Sequence, residues 1–312
     1  MTRPMTAPSS EIVTEPMSGT VILQRVTKRY GPITAVRDLD LALNAGEVVA
    51  LVGHNGAGKT TQIRMMLGLA RPSSGIVRLL GVDPASGDVS VRARVGYLPE
   101  NVSFHLALTG RETLAFYARL RRAPLAELDR ALAAVGLEGA ADRFVGTYSK
   151  GMRQRLGLAQ ALLGHPRVLI LDEPTSGLDP ALRREFYEIV AERAAGGATV
   201  LLASHALTEL ETRADRVVIV NRGIKIADGR LDDLRRRASL PVRVRVRPKG
   251  LLPAAGWRRL PDGMLETAVA PSEKLPLLAR LLGDPEAIDD LTVIEPTLDD
   301  LYAHFLTFET AR

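Results

Sequence analysis

The run Gly53-His54-Asn55-Gly56-Ala57-Gly58-Lys59-Thr60 constrains this chain more than any other segment. It follows five consecutive apolar residues, Val48 to Val52, and opens a stretch of helical spacing. Strand, glycine loop and helix in that order are what a phosphate-binding loop requires. Glycines let successive backbone N–H groups turn inward without side-chain clashes, and the start of the helix adds its positive end. Gly53, His54, Asn55, Gly56, Ala57 and Gly58 are therefore expected to cradle phosphates. Lys59 would reach the β- and γ-phosphates of a nucleotide, and the Thr60 hydroxyl, with Thr61 beside it, would sit at the Mg²⁺.

The surrounding pattern is that of an α/β fold. From Thr20 to about Asp228 short apolar runs alternate with longer helical stretches, the signature of a parallel sheet flanked by helices. Val168 to Leu171 and Thr199 to Ala203, like Val48 to Val52, are nearly continuous apolar runs, as expected of strands covered on both faces. All three end where polar residues begin, and open parallel sheets bind ligands beyond the carboxyl ends of their strands. One of those ends carries Asp172-Glu173. Two adjacent acids after a strand can be simple caps. Beside a phosphate loop they divide the work: Asp172 binds Mg²⁺ through water, and Glu173 orients and deprotonates an attacking water.

Between Leu98 and Leu163 helical patterning replaces the strands, with Leu114, Ala118, Leu125, Leu128, Leu132 and Val135 as expected buried positions. This predicts an inserted helical subdomain over about 98–163. Residues 1–19, rich in Thr, Pro, Ser and Met, read as a disordered leader ahead of a nucleotide-binding domain over 20–230. A small α+β accessory domain is expected over 231–312. It has a strand where Val242, Val244 and Val246 alternate with arginines, and a last helix capped by Thr297 that buries Leu298, Leu301, Tyr302 and Phe305.

Composition narrows the classes further. Apolar residues are 46% of the 312 and charged residues 25%, which is ordinary for a globular chain. No cysteine is present, so disulfides and thiolate metal sites are excluded. With no cysteine and no Met or His cluster, the chain is not expected to hold copper. The formal charge of +5 comes from 41 basic and 36 acidic residues that are interspersed, so nucleic acid is not an expected partner. Arg235, Arg236 and Arg237 form the one local basic run singled out as facing a lipid headgroup or a partner.

Tyr148-Ser149-Lys150-Gly151-Met152-Arg153-Gln154, just before the acidic strand end, resembles the signature sequence of ABC transporter ATPases. The resemblance covers Val21 to about Gly229. It implies a P-loop NTPase ABC cassette that hydrolyses ATP with Mg²⁺ as a head-to-tail dimer, in which Ser149 and Gly151 meet the γ-phosphate held by the other copy. It further implies that Ser176-Gly177-Leu178-Asp179 is the D-loop, with Asp179 at the dimer interface. His205 is similar to the switch histidine, and Tyr30 to the aromatic on which adenine stacks. Glu100 stands where most relatives carry Gln, and keeps a nucleotide-sensing and metal-facing role. Lys150 and Met152 depart from the commonest signature and leave Ser149 and Gly151 as the transferable contacts.

Finer runs, Gly53-His54-Asn55, Tyr97 to Phe104, Tyr148 to Gly164 and Pro296 to Tyr302, resemble the NosF-type ATPases that serve nitrous oxide reductase maturation. That implies an integral membrane permease as partner, a periplasmic accessory protein through it, and a peripheral place on the cytoplasmic face of the inner membrane. A drug- or lipid-exporter ATPase is the nearest competing reading. A soluble ABC ATPase acting on nucleic acid or ribosomes is the alternative of another class, but paired cassettes, a long coiled coil and zinc cysteines are not found in this sequence. An ATP-binding module that does not hydrolyse is disfavoured because Lys59, Asp172, Glu173 and His205 are all retained.

Overall fold

A computed structural model describes residues 17–249, 256–283 and 287–310, with side chains to 307 in the last stretch. Most of the expected leader, residues 1–16, lies outside the described residues. The chain begins with β1 (Val21–Tyr30), β2 (Ile33–Leu43), β3 (Val48–Val52), α1 (Lys59–Met66) and β4 (Ser74–Leu79). Then come α2 (Val89–Arg92), β5 (Val95–Leu98), α3 (Gly110–Arg121), α4 (Leu128–Ala133), α5 (Lys150–Leu162) and β6 (Val168–Asp172). The nucleotide-domain pattern closes with α6 (Pro180–Ala195), β7 (Thr199–Ser204), α7 (Leu207–Leu210), β8 (Arg216–Asn221), β9 (Ile224–Gly229) and α8 (Leu231–Ala238). The remainder comprises β10 (Val242–Pro248), β11 (Arg258–Arg259), β12 (Leu265–Val269), α9 (Lys274–Leu282), β13 (Ile288–Ile294) and α10 (Leu298–Thr310).

The central sheet has the order β5-β6-β7-β3-β8-β9, with β9 antiparallel to β8 and the other pairings parallel. Its apolar runs are continuous because both faces are covered, and the period of two sorts them. Val48, Ala50, Leu169, Leu171, Val200, Leu202, Val217 and Ile219 enter the core formed with α3 to α7. Val49, Leu51, Val168, Ile170, Leu201, Ala203, Val218 and Val220 enter the opposite core, with α1 and a second sheet. That second sheet, β2-β1-β4, is antiparallel. It adds a layer that the expectation of parallel strands flanked by helices did not contain.

The helical insertion is present as α3, α4 and α5. Helix α3 starts at a reciprocal cap, in which the Thr109 side chain accepts from Glu112 N–H and Glu112 accepts from Thr109 N–H. Of the residues expected to be buried there, Leu125 is 48% exposed. It follows Pro124 in a short 3₁₀ turn. Since α4 begins only at Leu128, the helical period does not extend back to it.

Strands β10 to β13 form a four-stranded sheet, order β11-β12-β10-β13. Val244 and Val246 pack with Leu265, Leu277 and Leu281 in a core of their own. Helices α8 and α10 belong elsewhere: Leu234, Ala238, Leu298 and Leu301 are buried in the nucleotide-domain core beside Leu207 and Leu210. Residue 231, the expected boundary, is the first of α8, whose buried residues join the nucleotide-domain core. Of the arginine run, Arg235 is half-buried, while Arg236 and Arg237 remain exposed. Arg235 donates to Pro296 O and pairs with Glu211, Arg236 pairs with Asp233, and Arg237 lies over the Phe305 ring at 5.8 Å. No helix among the described residues is long and apolar enough to cross a membrane.

Candidate functional site

Strands β6, β7 and β3 are neighbours, and their register aligns their carboxyl ends. Val52 pairs with Ser204, and Asp172 with Ala203. The glycine loop after β3, the acids ending β6 and the Ser204-His205 end of β7 therefore open at one level. Strand β5 lies beyond β6, with Leu98 beside Leu171, so Glu100 enters from that flank.

The loop itself is braced on two sides. Gly58 has φ 103°, and a Cβ there would meet Ala35 O at 2.6 Å, so only glycine serves. A Cβ on Gly53 would meet Val220 O at 2.6 Å. Gly56, at φ 84°, faces open space. His54 donates its backbone N–H to the Tyr302 hydroxyl at 2.8 Å, and its ring lies between Asn55 O and Asn221 Oδ1. Lys59 is buried, and its Nζ donates to Gly53 O and, at 3.4 Å, to His54 O. Thr60 is exposed at the helix start and Thr61 half-buried.

Burial lowers the Lys59 pKa, opposed by the negative charges of Glu173, Asp172 and Glu100. Asp172 is pushed up to about 6 by burial and by Glu173 and Glu100, against the pull of Lys59 and Arg64. Three carboxylates thus share one buried ammonium, a surplus of negative charge that a divalent cation would balance. Among the described residues, no group of three or more His, Cys, Asp or Glu is arranged to hold a metal alone. The carboxylate of Asp172 and the hydroxyl of Thr60 are oxygen donors of the kind that suit Mg²⁺, which keeps waters and takes the remaining oxygens from phosphates.

Glu173 departs from the strand. Its φ is 46°, a left-handed conformation that costs a non-glycine residue about 1–3 kcal/mol. Its N–H donates to Ala203 O at 2.8 Å. One carboxylate oxygen accepts from the Ser204 hydroxyl at 3.0 Å, and the other lies 2.7 Å from His205 Nδ1. The His205 ring is otherwise open, with 71% of its side chain exposed. A carboxylate held at both oxygens, next to an exposed imidazole, is suited to orienting a water and taking its proton. Ser204 was not singled out from the sequence; its place immediately before His205, at a strand end, was the available signal.

The other residues lie apart from this edge. Ser149 caps α5, accepting Met152 N–H at 3.2 Å, and Gly151 faces Gly177 O, so this helix start adjoins the Ser176 to Asp179 loop. Asp179 itself caps α6, accepting Leu182 N–H at 3.0 Å. Tyr30, at the end of β1, is 44% exposed, with Lys28 Nζ 4.8 Å from the centre of its ring.

A glycine loop between sheet and helix, acids on the next strand but one, and a helical insertion define a P-loop nucleotide hydrolase of the cassette type. Residues 36–176 match the ABC transporter family. The chain is 36% identical over 308 residues to a daunorubicin resistance ATP-binding protein of Streptomyces coeruleorubidus, covering 89% of this chain and 92% of that one. It is 37% identical over 226 residues to the bacitracin transport ATP-binding protein of Bacillus licheniformis, covering 71% and 73%. A solved ATP-binding subunit of an ABC transporter superposes with TM-score 0.67 at 34% identity, over 70% of this chain and 92% of that one. The chain belongs to the ATP-binding proteins of ABC transporters, transport-coupled ATPases that bind ATP and work as dimers with a membrane permease.

Proposed function

We propose that Lys59, Thr60, Asp172, Glu173 and His205 form the hydrolytic half-site of this ATPase, and that Ser149 and Gly151 complete the half-site of a second copy. The observation that carries this reading is the Glu173 carboxylate, bonded by Ser204 and His205 beside the Lys59 loop. Glu173 would take the proton of the attacking water, and His205 would hold that water and the γ-phosphate. Lys59 would meet the β- and γ-phosphates, Tyr30 would stack on adenine, and Asp179 would face the partner copy. Thr60, Asp172 and Glu100 would hold Mg²⁺, which when bound supplies neutralising charge to the phosphates. Glu173→Gln should bind ATP and dimerise yet nearly stop hydrolysing; full turnover would overturn the assignment. Ser149→Arg should bind nucleotide normally while losing at least about tenfold in turnover, since one oriented donor site is worth that much or more. Unchanged turnover would sink the role in the second copy.

The permease would seat in a groove of about 280 Å³ lined by Leu67, Leu69, Val91, Val95 and Tyr97. Its support is the exposed Leu69 and the position of Tyr97 three residues before Glu100. Seated there, the chain would lie on the cytoplasmic face of the inner membrane. For the client, we propose nitrous oxide reductase maturation, with a periplasmic accessory protein reached through the permease. That rests on the runs Tyr148 to Gly164 and Pro296 to Tyr302. The drug- or lipid-exporter reading is supported by the names of the daunorubicin and bacitracin relatives. Isolation of the chain with its permease, and nitrous oxide reductase activity in a deletion strain, separate the two. Unimpaired reductase would remove the first.

A further inference from the structure

Tyr302 lies 248 residues from His54 in sequence and touches the nucleotide loop directly. Helix α10 is pinned at its start: Leu298 N–H donates to Glu211 just after α7, and Pro296 O accepts Arg235 Nε of α8 at 2.9 Å. The Thr297 hydroxyl and the Asp300 carboxylate exchange caps, and Leu298 and Leu301 are fully buried. Tyr302, one turn beyond Leu298, is therefore carried on a rigid support. Its hydroxyl accepts the His54 N–H at 2.8 Å.

That N–H belongs to the peptide group joining Gly53 to His54. The carbonyl of the same peptide, Gly53 O, accepts Lys59 Nζ. A trans peptide is planar, with its N–H and C=O pointing opposite ways. Fixing one end therefore aims the other. We propose that Tyr302 is a positioning residue for nucleotide binding: it holds the Gly53 to His54 peptide so that Gly53 O aims the Lys59 ammonium. An ammonium has three N–H donors; Gly53 O and His54 O take two, leaving one for a phosphate oxygen. Helix α10 thereby acts on ATP affinity from the far end of the sequence. The inference rests on the ATP half-site reading above and adds to it a residue outside the nucleotide loops.

The test uses the purified full chain, a fluorescent ATP analogue and thermal unfolding. Tyr302→Phe keeps the ring and removes the acceptor. It should weaken nucleotide affinity about three- to tenfold, the scale of one neutral hydrogen bond, raise the KM for ATP equally and leave kcat within twofold. In a Lys59→Met background the same change should move affinity by less than twofold, because there is no ammonium to aim. Phe305→Leu, a packing change in the same helix, should lower Tm without altering affinity. Unchanged affinity in Tyr302→Phe overturns the proposal, as do equal losses in both backgrounds. So does an affinity loss that tracks Tm across Tyr302→Phe and Phe305→Leu, which marks a structural role only. An unmodified chain that binds no ATP overturns the half-site reading, and this inference with it.

Discussion

Two charged clusters on the central sheet are built on opposite terms. At the carboxyl ends of β3, β6 and β5, Asp172, Glu173 and Glu100 crowd one buried cation, Lys59, and the Asp172 carboxyl rises to about 6. On β8 and β9, Asp228 receives Arg216 Nε at 2.6 Å, Arg216 NH2 at 2.8 Å and Lys225 Nζ at 2.8 Å. Burial alone would raise the Asp228 carboxyl, but these hydrogen bonds hold it below its ordinary value. One cluster is satisfied within the chain and stabilises the fold. The other is left with surplus negative charge, which is the state expected of a site that awaits a cation and phosphates.

The contrast can be broken by substitution. Lys59→Ala should have the largest effect. It removes the cation from the unsatisfied cluster and should weaken ATP binding roughly 100-fold, or about 3 kcal/mol, the value of a charged hydrogen-bond partner. Isothermal titration that finds unchanged affinity would contradict the phosphate-cradle role. Asp228→Asn comes next and should destabilise the fold by about 2 kcal/mol in denaturant titration at neutral pH. The sign with pH follows from the depressed value. The stabilisation is complete above the unfolded Asp pKa of about 3.9 and is lost as pH falls through the lower folded value. Wild type and variant should therefore converge in acid. Asp172→Asn should have the smallest effect on stability and the opposite sign, raising it by about 1 kcal/mol by removing an unmatched buried charge, while turnover is lost. A fall in stability would show that the two clusters do not differ as described.

Much of this was legible in the sequence, for reasons that differ by element. The loop from Gly53 to Thr60 was readable because a phosphate cradle needs glycines at fixed places and a buried strand before them. Strands β3, β6 and β7 were readable because burial on both faces leaves uninterrupted apolar runs. The antiparallel β2-β1-β4 layer was not, because local alternation reveals neither the partner of a strand nor its direction. Leu125 was misplaced because Pro124 shifts the start of the helix. The bond from Arg235 to Pro296 O and its pairing with Glu211 could not be read, because contacts between distant segments leave no mark in composition. Ser204 and Tyr302 escaped for the same reason: each acts through one hydrogen bond to a residue brought near only by the fold.

The docking of α10 also bears on how the protein is made. At 5–20 residues per second, the 248 residues between His54 and Tyr302 take a ribosome roughly 12–50 s to add. Throughout that interval the nascent nucleotide domain lacks Leu298 and Leu301, two fully buried members of its core. The glycine loop also lacks the hydroxyl that caps it. The surface beside α7 and α8 is itself uncovered from the completion of α8 at Ala238 to the addition of Leu301, roughly 3–13 s at that rate, a window in which chaperones and proteases compete with the arrival of the closing helix.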